Sequence, residues 1–447
     1  MNRNILFINP WIYDFSAYDC WNQPIGLLSL ASLLRENGWN GYFLDCLDPY
    51  HPAMQNDQTH PPPKRRSSGE GKYAMEYVPK PTALNQVPRN YHRYGITPDL
   101  FLSSIASMPK PDLVMVTSMM TYWYPGVFEV IKLIRQAIPG APVILGGNYV
   151  TLCPQHASRS GADFCIAGPA EDSLPELMKT LCNQDLQVLP DPDRLDSYPY
   201  PAFDLLSHPV QVPIMTSRGC PYRCSYCASH LTTDHFRRRE PLGVANEIEH
   251  WHRTLGINHF SFYDDALLVH PQEMAIPLLK ELIHRKLPIQ FHCPNGLHLR
   301  EITAEVSTLM HKAGFRTIRF GFETSDRIRQ KTTGGKVDND EFLEAIGHLV
   351  QAGYDRRDIG VYLLCGLPGQ SAQEVEESIR FVKQSRVRPI IAEYSPIPGT
   401  GLWLDSLAAS PYPLADEPLF QNNTLLPCRN DSLTYAMYQR LKLLCRE

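Results

Sequence analysis

The apolar residues of this 447-residue chain fall into short runs separated by helical repeats. Runs of strand length lie at 4–8, 42–47, 113–117, 142–145 and 163–167. Between them Leu27, Leu30, Ala31 and Leu34 recur at intervals of three and four, as do Val127, Val130, Ile131 and Ile134. That spacing marks one buried helix face. Strand and helix in alternation predict a parallel sheet covered on both faces. Five strands complete a doubly wound, Rossmann-type domain over 1–185. A second alternation runs from 211 to 404, with strand-like runs at 212–217, 258–263, 288–293, 317–322, 359–365 and 390–395. Its helical patterns include Val244, Ile248, Trp251 and Leu255, then Ile302, Val306, Leu309, Met310 and Ala313. Six β/α units fall short of the eight in a closed barrel. The predicted fold class is therefore α/β: a doubly wound parallel-sheet domain followed by a partial (β/α)6 barrel.

Three stretches break the pattern. Residues 48–97 are rich in proline and polar residues and include Pro61-Pro62-Pro63-Lys64-Arg65-Arg66. From Lys64 to Arg93 there are seven Lys/Arg against two Glu. Loops beyond ~15 residues are usually functional or disordered, and Tyr73, Tyr77, Tyr91 and Tyr94 argue against simple disorder. A solvated loop, a lid and a clamp for an anionic group are the readings to test. Residues 186–210 carry Pro190, Pro192, Pro199, Pro201 and Pro209 and read as a linker lying against the surface. The tail, 405–447, offers one amphipathic helix, Leu433 to Leu444, and is too short for a domain of its own.

Composition narrows the class. Hydrophobic content of 43% and charged content of 20% are those of a globular protein. The net charge of −5 gives no reason to expect nucleic acid or an anionic membrane as partner. The first ten residues lack a signal-peptide core, and no apolar run reaches the ~20 residues that span a bilayer. Twelve cysteines without a secretion signal fit a reducing cytoplasm better than a disulfide framework.

Three of those cysteines carry the chemistry. Arg218-Gly219-Cys220-Pro221-Tyr222-Arg223-Cys224-Ser225-Tyr226-Cys227 has the spacing C-x3-C-x2-C. Three thiolates on one loop can hold three corners of a [4Fe–4S] cube, where four are usual. The fourth iron is then open to a small molecule. Two other readings fit the spacing: a zinc ion completed by His230, and an electron-transfer cluster with a distant fourth ligand. The loop follows the first strand of the second block, at the edge where α/β folds place ligands.

The motif resembles the signature of the radical S-adenosylmethionine (SAM) enzymes, and the resemblance extends over the whole second block. It implies that Cys220, Cys224 and Cys227 hold the cluster, with SAM on the open iron and Tyr226 beside its adenine. After the second strand, Asp264 and Asp265 stand where many members carry Gly-Gly-Glu, so one of them would take the SAM amino group. Glu323, in Gly321-Phe322-Glu323-Thr324, is similar to the element that contacts the ribose or methionine part. Gly366, in Gly366-Leu367-Pro368-Gly369, and Pro396, in the turn Ser395–Thr400, match the pieces after the fifth and sixth strands. Asn295, flanked by His292 and His298, follows the third strand and could face substrate; both histidines read as core or surface residues.

Given that barrel, the first block resembles the cobalamin-binding domain of many members. Ser118 ends the third strand, Gly146 and Gly147 the fourth, and Gly168-Pro169-Ala170-Glu171 follows the fifth, implying contacts from Ser118, Gly146, Gly147, Gly168 and Glu171 to the nucleotide tail. The Asp-x-His-x-x-Gly of cobalamin mutases is absent: the region reads Asn9-Pro10-Trp11-Ile12-Tyr13-Asp14. The implied activity is a cobalamin-dependent methyltransferase that uses a 5′-deoxyadenosyl radical on an unactivated carbon, with both cofactors facing one cavity. It implies an electron donor such as flavodoxin or ferredoxin. The substrate expected is a small molecule or lipid-like. The alternatives are a radical SAM cyclase or oxidoreductase, a methylthiotransferase using Cys20 and Cys46, and a cobalamin- or cluster-sensing binding protein.

Overall fold

A computed structural model of the chain describes residues 3–55 and 63–447, so Pro61 and Pro62 of the proline run lie outside the described residues. The chain divides into two compact units: 1–210 with 417–419, and 211–416 with 420–447.

In the first unit β1 (Arg3–Asn9), β2 (Trp39–Asp45), β3 (Leu113–Val116), β4 (Val143–Leu145) and β5 (Phe164–Cys165) form one parallel sheet in the order β2-β1-β3-β4-β5. Successive side chains feed opposite faces. Leu6, Ile8, Val114 and Val116 pack with Val127, Val130, Ile131 and Ile134 of the helix Tyr124–Ala137. Ile5, Phe7, Leu113 and Met115 pack with Leu27, Ala31 and Leu34 of the helix Ile25–Glu36. The order of build reverses between β1 and β3, which makes their carboxyl ends the natural ligand crevice of such a sheet.

Residues 63–97 are neither a solvated loop nor an open cationic clamp. The short strands Ile12–Asp14, His92–Tyr94 and Met75–Tyr77 pair antiparallel, in that order. Tyr73 and Tyr94 join Ile12 and Leu47 in a small apolar cluster. Three of the seven basic residues meet carboxylates of their own surroundings: Arg65 with Asp19, Arg66 with Glu70 and Arg93 with Glu76. The Arg65–Asp19 pair is buried, at 6% and 7% exposure. The segment 186–210 belongs to this unit, since Ala202 N–H donates to the Leu28 carbonyl at 3.0 Å and Phe203 is fully buried.

In the second unit β6 (Gln211–Ile214), β7 (His259–Phe262), β8 (Gln290–His298), β9 (Phe315–Glu323), β10 (Ile359–Cys365) and β11 (Arg388–Glu393) are parallel and hydrogen-bonded in sequential order. One face is apolar: Val212, Phe260, Phe291, Ile318 and Val361 have no exposure. The alternate positions are polar and linked. Ser261 Oγ donates to Gln211 Oε1 at 3.1 Å, and His292 lies 3.1 Å from both His259 and Thr317. The sheet is thus apolar on one face and polar on the other. β8 runs further than its apolar core suggests, with a register shift between Cys293 and Leu297, so Asn295 lies within the strand and not after it. The tail is part of the unit's core: Leu414, Leu425, Leu426 and Leu433 have no exposure, and Tyr435–Leu444 packs on the helix Ala372–Gln384.

Candidate cofactor site

The cysteine loop is fastened before its first thiol. Asp264, two residues past β7, is buried and accepts from Thr216 N at 2.9 Å, Thr216 Oγ1 at 2.7 Å and Ser217 Oγ at 2.7 Å. These bonds tie the exit of β6 to the exit of β7. Two further turns hold the loop from behind. Ser225 N–H donates to the Thr333 carbonyl at 3.1 Å, and Leu402 N–H to the Ser225 carbonyl at 2.8 Å. Gly334 lies flat on the loop, for a Cβ there would sit 3.0 Å from Cys224 Cα.

The thiols fit iron. Burial pushes Cys220 up to about 11 and raises Cys224 as well, so neither ionises readily without a cation to receive the thiolate. The Lys336 ammonium favours the Cys224 thiolate, and the nearby Tyr226 hydroxyl adds to that effect. Ser225 Oγ is buried with no hydrogen-bond partner among the described residues, a polar atom that a bound group would satisfy. Among the described residues no three His, Cys, Asp or Glu side chains converge as ligands to a single ion. A cubane asks something different, since each thiolate binds its own iron.

Around this loop the structure gathers some of the expected residues and leaves others apart. Asp265 accepts from Ser229 Oγ at 3.0 Å, and that hydroxyl lies 3.2 Å from Cys227 sulfur. Asp265 is solvent-accessible yet closely surrounded, which raises its carboxyl, while Lys336 opposes the rise. Asp264, by contrast, is buried and accepts from Thr216 and Ser217, while Asp265 is exposed and accepts from Ser229. Glu323 ends β9 at φ +72°, a conformation costing a non-glycine residue about 1–3 kcal/mol. Its carboxylate lies 3.6 Å from Lys336 Nζ, each side chain 14% exposed. Gly321 makes room for that pair: a Cβ there would lie 2.5 Å from Glu323 Oε1 and 2.6 Å from Lys336 Nζ. Tyr226 packs on the apolar cluster of Leu364, Leu367, Tyr394 and Cys428. Gly366 and Pro396 lie just past β10 and β11, at the same carboxyl edge; Gly366 N–H donates to Gln370 Oε1 at 2.9 Å.

Lys336 escaped the sequence reading. Its signal was a cation after paired glycines, Gly334-Gly335-Lys336. His298 is buried against the Tyr222 ring, with centroids 4.8 Å apart, and burial beside Lys336 and Arg300 pushes it down to about 3. It is therefore a neutral wall of the site.

The first unit has a second constellation at its carboxyl edge. Gly147 has φ +97°, and a Cβ there would lie 2.2 Å from the Ser118 carbonyl, so β3 and β4 leave the sheet in close backbone contact. Ser118 Oγ donates to the Gly146 carbonyl at 2.6 Å. A Cβ on Gly168 would meet nothing within 4 Å, which leaves open backbone at this rim. Glu171 stands in the first turn of the helix Ala170–Cys182. After β1, Trp11 is buried in the core with Nε1–H donating to the Ile96 carbonyl at 2.7 Å. Asp45, at the end of β2, is held up at about 7 by burial, then by Asp48.

Residues 214–382 match the model of the radical SAM superfamily, and residues 90–178 match that of the B12 binding domain. The two matches fall on the two constellations. The chain thus carries a radical SAM region and a B12-binding region together, and it resembles the cobalamin-binding radical SAM enzymes. It is similar to an uncharacterized methyltransferase of Pyrococcus horikoshii, 26% identical over 70% of this chain and 74% of that one. It is also similar to the anaerobic magnesium-protoporphyrin IX monomethyl ester cyclase of Rubrivivax gelatinosus, 23% identical over 85% and 65%. The chain spans about half the length of several other curated relatives. In fold it resembles the radical SAM methyltransferase TsrM of Kitasatospora setae, solved with cobalamin and a [4Fe–4S] cluster, with a TM-score of 0.66 at 16% identity over 92% and 76% of the two chains.

The radical SAM match implies a [4Fe–4S] cluster and SAM as cofactors, and the B12 binding match supports cobalamin. The fit is visible in both units: three thiols on one loop beside an orphaned buried hydroxyl, and open backbone at Gly168 on the first sheet's rim. No helix among the described residues is long and apolar enough to cross a membrane.

Proposed function

We propose that this enzyme is a cobalamin-dependent methyltransferase acting on an unactivated carbon of a small-molecule or lipid-like substrate, in the cytoplasm, with a flavodoxin or ferredoxin as electron donor. The observation that carries the reading is the presence in one chain of a three-thiol loop and a glycine-lined sheet edge, each at the carboxyl ends of parallel strands. When bound, the cluster and SAM supply one-electron cleavage of the sulfonium, and the corrin supplies a transferable methyl. The chain's own residues bind and orient. Cys220, Cys224 and Cys227 hold the cluster, Asp265 accepts the SAM ammonium, and Glu323 accepts from its hydroxyls. Tyr226 lends an apolar face to the adenine beside Gly366 and Pro396. Ser118, Gly146, Gly147, Gly168 and Glu171 seat the nucleotide tail.

The name of the first relative and the fold of TsrM support methyl transfer; the cyclase relative supplies the rival. A methylthiotransferase would need a second cluster on Cys20 and Cys46, yet Cys46 is fully buried while Cys20 is exposed. The test is anaerobic reconstitution with cobalamin and methyl-deuterated SAM, challenged with small-molecule and lipid extracts. Methyl transfer yields a deuterated product together with 5′-deoxyadenosine and S-adenosylhomocysteine. Deoxyadenosine without labelled product would point to cyclisation, oxidation or rearrangement instead, and no SAM cleavage at all would point to a sensor.

A further inference from the structure

The turn that backs the cysteine loop also delivers a charge to it. Thr333 accepts from Ser225 N–H, Gly334 lies against Cys224, and two residues later Lys336 reaches Glu323 at 3.6 Å. Both charges are 14% exposed, so water screens them weakly. A Cβ at 321 would crowd the ends of both side chains, and nothing else lies within 3 Å of it. Asp265 and His298 also face Lys336, from β7's and β8's ends, and Tyr226 faces Glu323.

We infer that Lys336 and Glu323 are a matched charge pair that sets the reduction potential of the cluster on Cys220, Cys224 and Cys227, with Lys336 as the positioning residue. The inference rests on the cluster reading above and goes beyond it. Reduction adds one electron to the cluster and no proton, so a fixed cation nearby stabilises the product and a fixed anion opposes it. Net charge and burial are among the levers that place a cluster's potential. Lys336 follows two residues after Gly334, where an added Cβ would lie 3.3 Å from Cys224 Sγ, so the turn that touches the loop carries the cation. Glu323 offsets it, which keeps the pocket neutral enough for the zwitterionic end of SAM.

The pair makes a signed prediction. Potentiometric titration of the reconstituted cluster, without SAM and with dithionite or titanium(III) citrate as the one-electron donor, is read by electron paramagnetic resonance. Lys336→Met should move the midpoint to lower potential and Glu323→Gln to higher potential. The double variant should return toward wild type, and Lys336→Arg should stay near it. A residue that only packs would lower thermal stability without opposite-signed shifts. Midpoints that move together, or that stay put in Glu323→Gln, overturn the inference, and so does a Lys336→Met protein that loses its cluster while the Glu323→Gln midpoint is unmoved. A wild-type protein with no [4Fe–4S] signal would instead overturn the cluster reading itself.

Discussion

Asp264 is the fastening on which the cysteine loop depends, and its removal should open the loop locally. The carboxylate takes three donors: Thr216 N, Thr216 Oγ1 and Ser217 Oγ, the first shared between both oxygens at 2.9 and 3.1 Å. Each buried donor left unsatisfied costs about 1–3 kcal/mol, so Asp264→Ala loses roughly 3–9 kcal/mol gross. Burial works the other way. A folded-state value of about 6 against an ordinary 3.8 costs the native state about 3 kcal/mol at neutral pH. The net loss is then about 3 kcal/mol, which corresponds to roughly hundredfold faster exchange of the Thr216 amide. Asp264→Asn keeps Oδ1, the acceptor in three of the four contacts, and sheds the buried charge, so it should stay within about 1 kcal/mol of wild type. The pH dependence has a definite sign. Because the folded value is raised, the native state is favoured below about pH 4 and loses that advantage as pH rises to about 6. Asp264→Asn should lack this slope. Hydrogen exchange with mass spectrometry on peptides covering 211–220, corrected for intrinsic rates, reads all three effects. Wild-type protection in Asp264→Ala, or equal damage from Asn and Ala, would refute the fastening.

Three further outcomes follow from the first unit. Gly147→Ala drives a Cβ to 2.2 Å from the Ser118 carbonyl, a backbone clash that no rotamer relieves; cobalamin retained after gel filtration should fall by roughly tenfold or more. Asp19→Ala strands the buried Arg65 guanidinium at a cost of about 3–5 kcal/mol. Urea unfolding followed by Trp21, whose indole donates to the Ser68 carbonyl at 2.7 Å, should report it. Asp45, raised to about 7 by burial, should lower native stability progressively as pH climbs from about 4 to about 7; Asp45→Asn should flatten Tm across that window.

The strands of both sheets were legible because buried parallel strands are apolar runs, and the helices because their buried faces repeat at three and four. Val127–Ile134 and Val244–Leu255 are such faces, and both lie where the pattern put them. The strands at 12–14, 75–77 and 92–94 were not legible. Three-residue strands carry no period, and pairing Ile12 with Tyr94 is a long-range event with no local signature. The Cys220–Cys227 spacing announced its chemistry, since ligand number and loop geometry are written in adjacent residues. The partners of the loop were not. Which of Asp264 and Asp265 fastens the strand exit depends on Thr216 and Ser217, 47–48 residues upstream. Lys336 becomes part of the site only once the helix after β9 returns it to Glu323. Side chains that act locally were readable; those that act through a partner on another strand were not.

The two-cofactor claim is tested most directly by the metal and corrin content of protein purified anaerobically from a cobalamin-competent host. The wild-type chain should carry about four irons as a [4Fe–4S] cluster and a bound corrin. The Cys220→Ala/Cys224→Ala/Cys227→Ala protein should lose the iron and keep the corrin. Iron retained in that triple variant, or a wild-type protein that carries the cluster but takes up no corrin, would contradict it.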